Sequence, residues 1–142
     1  PADRQELVDH PEIVDKVAEE LLRAYPIVHV PREAIEDTVI GGCPIKAGQV
    51  VTVSLPSVGR DENQHEDPLN VDFYRDMNTH LTFGAGPHRC LGSHLARHEL
   101  STGYAEWHRL IPDYWVDENH VATESTGGMM ALDSLPLKWN VK

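Results

Sequence analysis

The sequence predicts an α+β fold, mainly helical, on three observations. Apolar residues recur at a helical period from Ile13 to Tyr25 and again from Leu91 to Leu110, and between them lie short β-rich runs broken by Pro and Gly. The strands are too few for a free-standing sandwich, so they must accompany the helices. At 142 residues the chain supports a single segment, 1–142, with a modest core. Its 40% hydrophobic and 25% charged content is that of a globular protein. No apolar run approaches the roughly 20 residues of a membrane helix, so no membrane role is expected. A net charge of −11 without any basic run argues against nucleic acid as a partner.

A short helix is expected at Arg4–Asp9. The next begins at Asp9-His10-Pro11, with Pro in its first turn and Glu12 near the positive end. Ile13, Val17 and Leu21, flanked by Val14, Ala18, Leu22 and Tyr25, give it a broad apolar face up to Pro26. Strands are expected at Ile27–Val30, Asp37–Ile40, Pro44–Lys46 and Gln49–Ser54, with a hairpin turned at Gly41-Gly42. Pro56–Leu81 is polar and irregular, and a stretch of that length inside a domain is usually functional. A helix from Cys90 to about Leu110 is stopped by Pro112, and Tyr114–Val116, Met129–Leu132 and Leu137–Trp139 suggest a last pair of strands.

Two cysteines, Cys43 and Cys90, make no disulfide framework, and a reducing cytoplasm is the simpler setting. The opening Pro1-Ala2-Asp3-Arg4 has no initiating Met and no leader, and is expected to be the interior of a longer chain.

The chemistry concentrates in Phe83-Gly84-Ala85-Gly86-Pro87-His88-Arg89-Cys90-Leu91-Gly92. Glycines 84, 86 and 92 let the backbone approach a flat ligand, and Pro87 stiffens the turn. A helix that begins at Cys90 would favour a thiolate there, with His88 and Arg89 adding donors and positive charge. Taken alone, the stretch is equally readable as an ordinary loop with an inert thiol. Glu20 and Arg23 share a helix face, a spacing common on solvated helices and worth about 0.3–0.5 kcal/mol when exposed. A zinc module is a rival reading, with His94 and His98 spaced i, i+4 and Cys90 one turn earlier.

Glu20, Arg23 and Arg75, together with Phe83-x-x-Gly86-x-x-x-Cys90-x-Gly92, resemble the cytochrome P-450 superfamily of haem-thiolate monooxygenases. The likeness runs along the whole chain and corresponds to the last third or so of a full enzyme: Glu-x-x-Arg helix, small sheet, irregular meander, Cys-ligand loop with its helix, and C-terminal hairpin. Val71-Asp72-Phe73-Tyr74-Arg75, His80-Leu81-Thr82-Phe83-Gly84 and Leu135-Pro136-Leu137-Lys138-Trp139 look most like the bacterial camphor-hydroxylase branch.

The resemblance implies haem b as cofactor, with Cys90 as axial ligand and catalytic centre and Glu20, Arg23 and Arg75 as a buried network. Phe83, Gly84, Gly86 and Gly92 would shape the haem loop, and Arg32 and His88 would bind the propionates. Ile27, Val28, Gly128 and Met129 would border the substrate pocket. Arg97 would stand on the surface that meets a ferredoxin-type iron–sulfur protein, itself served by a reductase drawing on NAD(P)H. The implied reaction inserts one atom of O2 into a C–H bond of a small hydrophobic, by branch a terpenoid, substrate. It needs the N-terminal remainder of the enzyme; without the oxygen-activating helix the chain would be a non-catalytic haem-binding fragment. Val30 departs from the branch, which places a carboxylate there.

Overall fold

In the computed structural model, which describes residues 2–76, 79–125 and 127–140, helix α1 (Ala2–Asp9) is followed by a 3-10 turn at Pro11–Ile13 and by α2 (Val14–Ala24). The helix expected from Pro11 onward is therefore tightened over its first three residues, where Pro11 supplies no N–H and Ile13 N bonds the His10 carbonyl. The predicted apolar face is the one that packs. Ile13 and Val17 join Leu7 and Phe73 in a buried cluster, with Val14, Leu21, Val71 and Tyr104 against it.

Strands β1 (His29–Glu33), β2 (Thr38–Ile40), β3 (Cys43–Ile45) and β4 (Val50–Ser54) form two antiparallel pairs, β1 with β4 and β2 with β3. The hairpin turns at Gly41-Gly42 as expected. The first strand starts later than the sequence suggested. Ile27 and Val28 are drawn away from β4 toward the C-terminal region, where Val28 bridges Met129, His29 N bonds Gly128 O and Met130 N bonds Ile27 O.

The short helix α3 (Leu55–Val58) leads into the irregular segment, whose other described residues, 59–76 and 79–81, run through turns and irregular backbone. Helix α4 (Ser93–Leu110) begins three residues after Cys90, whose amide bonds the Phe83 carbonyl at 2.8 Å and so belongs to the loop. Leu91, expected to open the apolar stripe, lies outside the helix and is 98% exposed. The C-terminal region forms two ladders rather than one pair: β5 (Tyr114–Val116) with β8 (Leu137–Trp139), and β6 (Glu124–Ser125) with β7 (Ala131–Leu132). Trp107 of α4 meets Tyr114 and Trp139 edge-on, which seats the first ladder on the helix. No described helix is long and apolar enough to cross a membrane.

Candidate functional site

The deepest polar feature is built on α2. Glu20 and Arg23 are both 0% exposed, and Arg23 binds Glu20 in a bidentate pair, Nε to Oε2 at 2.8 Å and Nη2 to Oε1 at 2.7 Å. The guanidinium also donates to the carbonyls of Gly59, Pro68 and Asn70, so nothing in this buried charge is left unpaired. Arg75 reaches Glu20 Oε1 at 3.4 Å and donates to the carbonyls of Glu66, Asp67 and Asn70. The amide of Asp72 completes the carboxylate's shell. Burial pushes the Glu20 carboxyl up, but the Arg23 and Asp72 hydrogen bonds and the Arg23 and Arg75 charges outweigh it, holding the group below the usual carboxylate range.

Spacing pointed to Glu20 and Arg23 and the family resemblance to Arg75, but neither to what the three organise. Two arginines convert an irregular stretch into a fixed meander by collecting its carbonyls. Gly59 is part of the arrangement, since a Cβ there would run into the Arg23 carbonyl oxygen.

Beside this network an apolar groove of about 960 Å³ runs between the end of α2, the β1–β4 pair and the face of α4. Cys90 lines it together with Phe83, Gly84, His88 and Arg32. Gly84 and Gly86 hold φ of +69° and +70°, conformations that L side chains rarely adopt, and these bends fold the loop so that Cys90 returns to Phe83. Gly86 and Gly92 shape the loop without lining the groove. Ile27 and Val28 do line it; Gly128 and Met129 pair with this strand but do not reach the wall. Val30, where a carboxylate was expected from the branch, makes that part of the wall apolar.

The Arg97 guanidinium pairs with Glu19 of α2 and lies 4.8 Å over the Phe83 ring, with the side chain 27% exposed. Cys90, His94 and His98 do not converge, and among the described residues no three His, Cys, Asp or Glu side chains form a metal-sized cluster.

Sequence reasoning missed Glu19 and His80. The His80 side chain is 3% exposed, with Nε2 3.2 Å from Glu19 Oε2 and Nδ1 accepting the Thr82 amide at 3.3 Å. Burial pushes the His80 pKa down, only partly opposed by Glu19. Burial pushes Glu19 up, but Arg97 and His80 together bring it below the usual range. The signal was the second carboxylate of Glu19-Glu20, which one Glu-x-x-Arg pairing leaves unused.

The site thus joins a thiol at the end of a glycine-bent loop, the apolar groove that it lines and a buried Glu-Arg-Arg network. The cytochrome P450 family model matches residues 2–106, and the chain belongs to that family. Among its relatives, a probable cytochrome P450 127A1 of Sinorhizobium fredii is 34% identical over 139 residues, covering 98% of this chain and 34% of that protein. The mycinamicin IV hydroxylase/epoxidase of Micromonospora griseorubida is 42% identical over 103 residues, 70% of this chain and 26% of its own length. The crystal structure of cytochrome P450 CYP101C1 superposes with a TM-score of 0.92 at 33% identity, over 99% of this chain and 37% of the other. The chain thus spans about a third of the length of the curated relatives it matches.

Proposed function

We propose that this chain is the haem-binding C-terminal portion of a cytochrome P450 monooxygenase in which Cys90 is the axial thiolate ligand of haem b. One observation carries the reading: Cys90 stands on the wall of an apolar groove that also receives His88 and Arg32. That donor set fits the group. A soft thiolate suits iron, apolar walls suit a flat macrocycle, and an imidazole and a guanidinium suit two propionates. When bound, haem b would supply oxygen activation and insertion of one oxygen atom into a C–H bond, with electrons drawn from NAD(P)H.

The chain's own residues bind and shape. Phe83, Gly84 and Gly86 hold the Cys90 loop, Arg32 and His88 compensate carboxylates, and Ile27 and Val28 give one apolar side of a pocket for a small hydrophobic substrate. A terpenoid is the proposed class, with Gly128 and Met129 bracing Val28 from the C-terminal side. The N-terminal remainder of the enzyme would close the groove and supply the proton-delivering helix. A ferredoxin-type iron–sulfur protein, reduced by its reductase in the cytoplasm, would approach the Cys90 side. Exposed Arg89, His94 and His98 lie nearer to that task than Arg97, whose charge is taken by Glu19.

In the full-length protein, Cys90→Ser or Cys90→His is expected to abolish the red-shifted carbon-monoxide band of the reduced form. An unchanged band would overturn the ligand assignment. A spin-state titration against terpenoid and aromatic panels tests the substrate class, for which relatives are a poor guide: one is named for mycinamicin IV and another is a nocardicin C N-oxygenase. A second reading is a haem-binding protein without catalysis of its own. Intact-mass measurement of the native protein separates the two.

A further inference from the structure

We propose that His80 is a positioning residue for Cys90, acting through Glu19, Arg97 and Phe83; the inference rests on the reading of Cys90 as haem ligand. His80 is not among the residues that line the groove with Cys90. Its influence travels along a short set of contacts. Because the Thr82 amide can only donate, His80 Nδ1 must accept, which leaves the proton on Nε2 to be given to Glu19. The same carboxylate accepts two hydrogen bonds from Arg97, and Arg97 in turn lies over the Phe83 ring and donates to the Ser93 carbonyl at the start of α4. The His80 ring also stands 6.2 Å from the Phe83 ring. Thr82 Oγ1 donates to the Leu22 carbonyl at 2.6 Å, fastening the segment to the last turn of α2.

Phe83 is therefore held from α2 and from α4, and its carbonyl is the acceptor for the Cys90 amide at 2.8 Å. Loss of the imidazole leaves Glu19 served by Arg97 alone and frees the Thr82 amide. The guanidinium can then follow the carboxylate away from the Phe83 face, and the acceptor that locates Cys90 moves with Phe83. A histidine ten positions before the cysteine in this way sets where the sulfur stands.

The test uses the full-length, haem-loaded protein with His80→Leu and His80→Gln, read by amide hydrogen exchange at Cys90 and by the carbon-monoxide band of the reduced form. His80→Leu is expected to speed exchange of the Cys90 amide about tenfold, the scale of losing one net hydrogen bond, and to move part of the red-shifted band to shorter wavelength. Gln carries both an N–H donor and a carbonyl acceptor, so His80→Gln is expected to recover both signals. Parental exchange and band in His80→Leu, or equal impairment in both variants, overturns the proposal. Should His80→Leu not fold, Arg97→Gln breaks the same link at a partly exposed side chain, and parental behaviour there overturns it equally. A Cys90→Ser protein that keeps its red-shifted band refutes the haem reading instead, while Cys90-amide exchange in the His80 variants without haem still judges the clamp.

Discussion

Glu19 and Glu20 are neighbours in sequence, yet their carboxylates serve different partners: Glu20 binds Arg23 and Arg75, and Glu19 binds Arg97 and His80. Adjacent helical positions point about 100° apart, so one dipeptide ties α2 both to the meander and to α4. Removing either should hurt, but unequally. Glu20→Ala leaves a buried guanidinium without its counter-charge and is expected to cost about 3–5 kcal/mol. Glu19→Ala removes a partly exposed pair, screened by solvent, and about 1 kcal/mol is expected. Urea unfolding of the full-length protein measures both; equal losses would refute the distinction.

Gly59→Ala is expected to destabilise by about 1–3 kcal/mol, the range for inserting a methyl group where packing is already closed. The added Cβ must displace the Arg23 carbonyl, the last turn of α2 and with it the guanidinium that Gly59 itself accepts. A thermal midpoint within error of the parent would show that the meander yields freely at this point.

Stability is expected to fall in two stages as the solution is acidified. His80 has its pKa lowered from 6.5 by burial, so below about 6.5 the unfolded chain takes up the proton before the folded one and the fold loses ground. Glu19 and Glu20 are both lowered from 4.5, although burial opposes this, because their arginine partners outweigh it; below about 4.5 they add a second loss. Above 6.5 these three groups contribute no slope. His80→Gln removes the first stage and keeps the second, which unfolding curves at a series of pH values would reveal.

Gly86→Ala meets open space but must hold φ near +70°, which costs an L residue about 1–2 kcal/mol. The expected result is faster haem loss from the full-length protein with little change in its helical circular dichroism. Unaltered haem retention would mean that the bend at Gly86 does not hold the Cys90 loop.

What the sequence disclosed were features with short, fixed spacing. Glu20 and Arg23 are one helical step apart and the Cys90 loop is a continuous motif, so local geometry alone brings their groups together. Features settled by distant partners were hidden. Arg97 finds its partner in Glu19, far back on α2. The strand expected at Ile27 begins only at His29, and the residues before it, Ile27 and Val28, meet Met130 and Met129 instead. Cys90 falls short of α4 and its amide bonds Phe83, a contact that no helical period encodes. Leu91, Leu95 and Leu110 carry the apolar period yet stand exposed, so their periodicity anticipates burial that the described residues do not themselves provide.

The four described ladders each contain two strands, and apart from the bond of His29 in β1 to Gly128 the described strands pair along one side. Bare edges with unspent N–H and C=O groups template other chains, and here they adjoin apolar residues such as Val39, Ile40 and Val50 that are open to water. Produced by itself, the chain is therefore expected to self-associate through strand pairing and to enter inclusion bodies; a clear, monomeric soluble fraction would refute this.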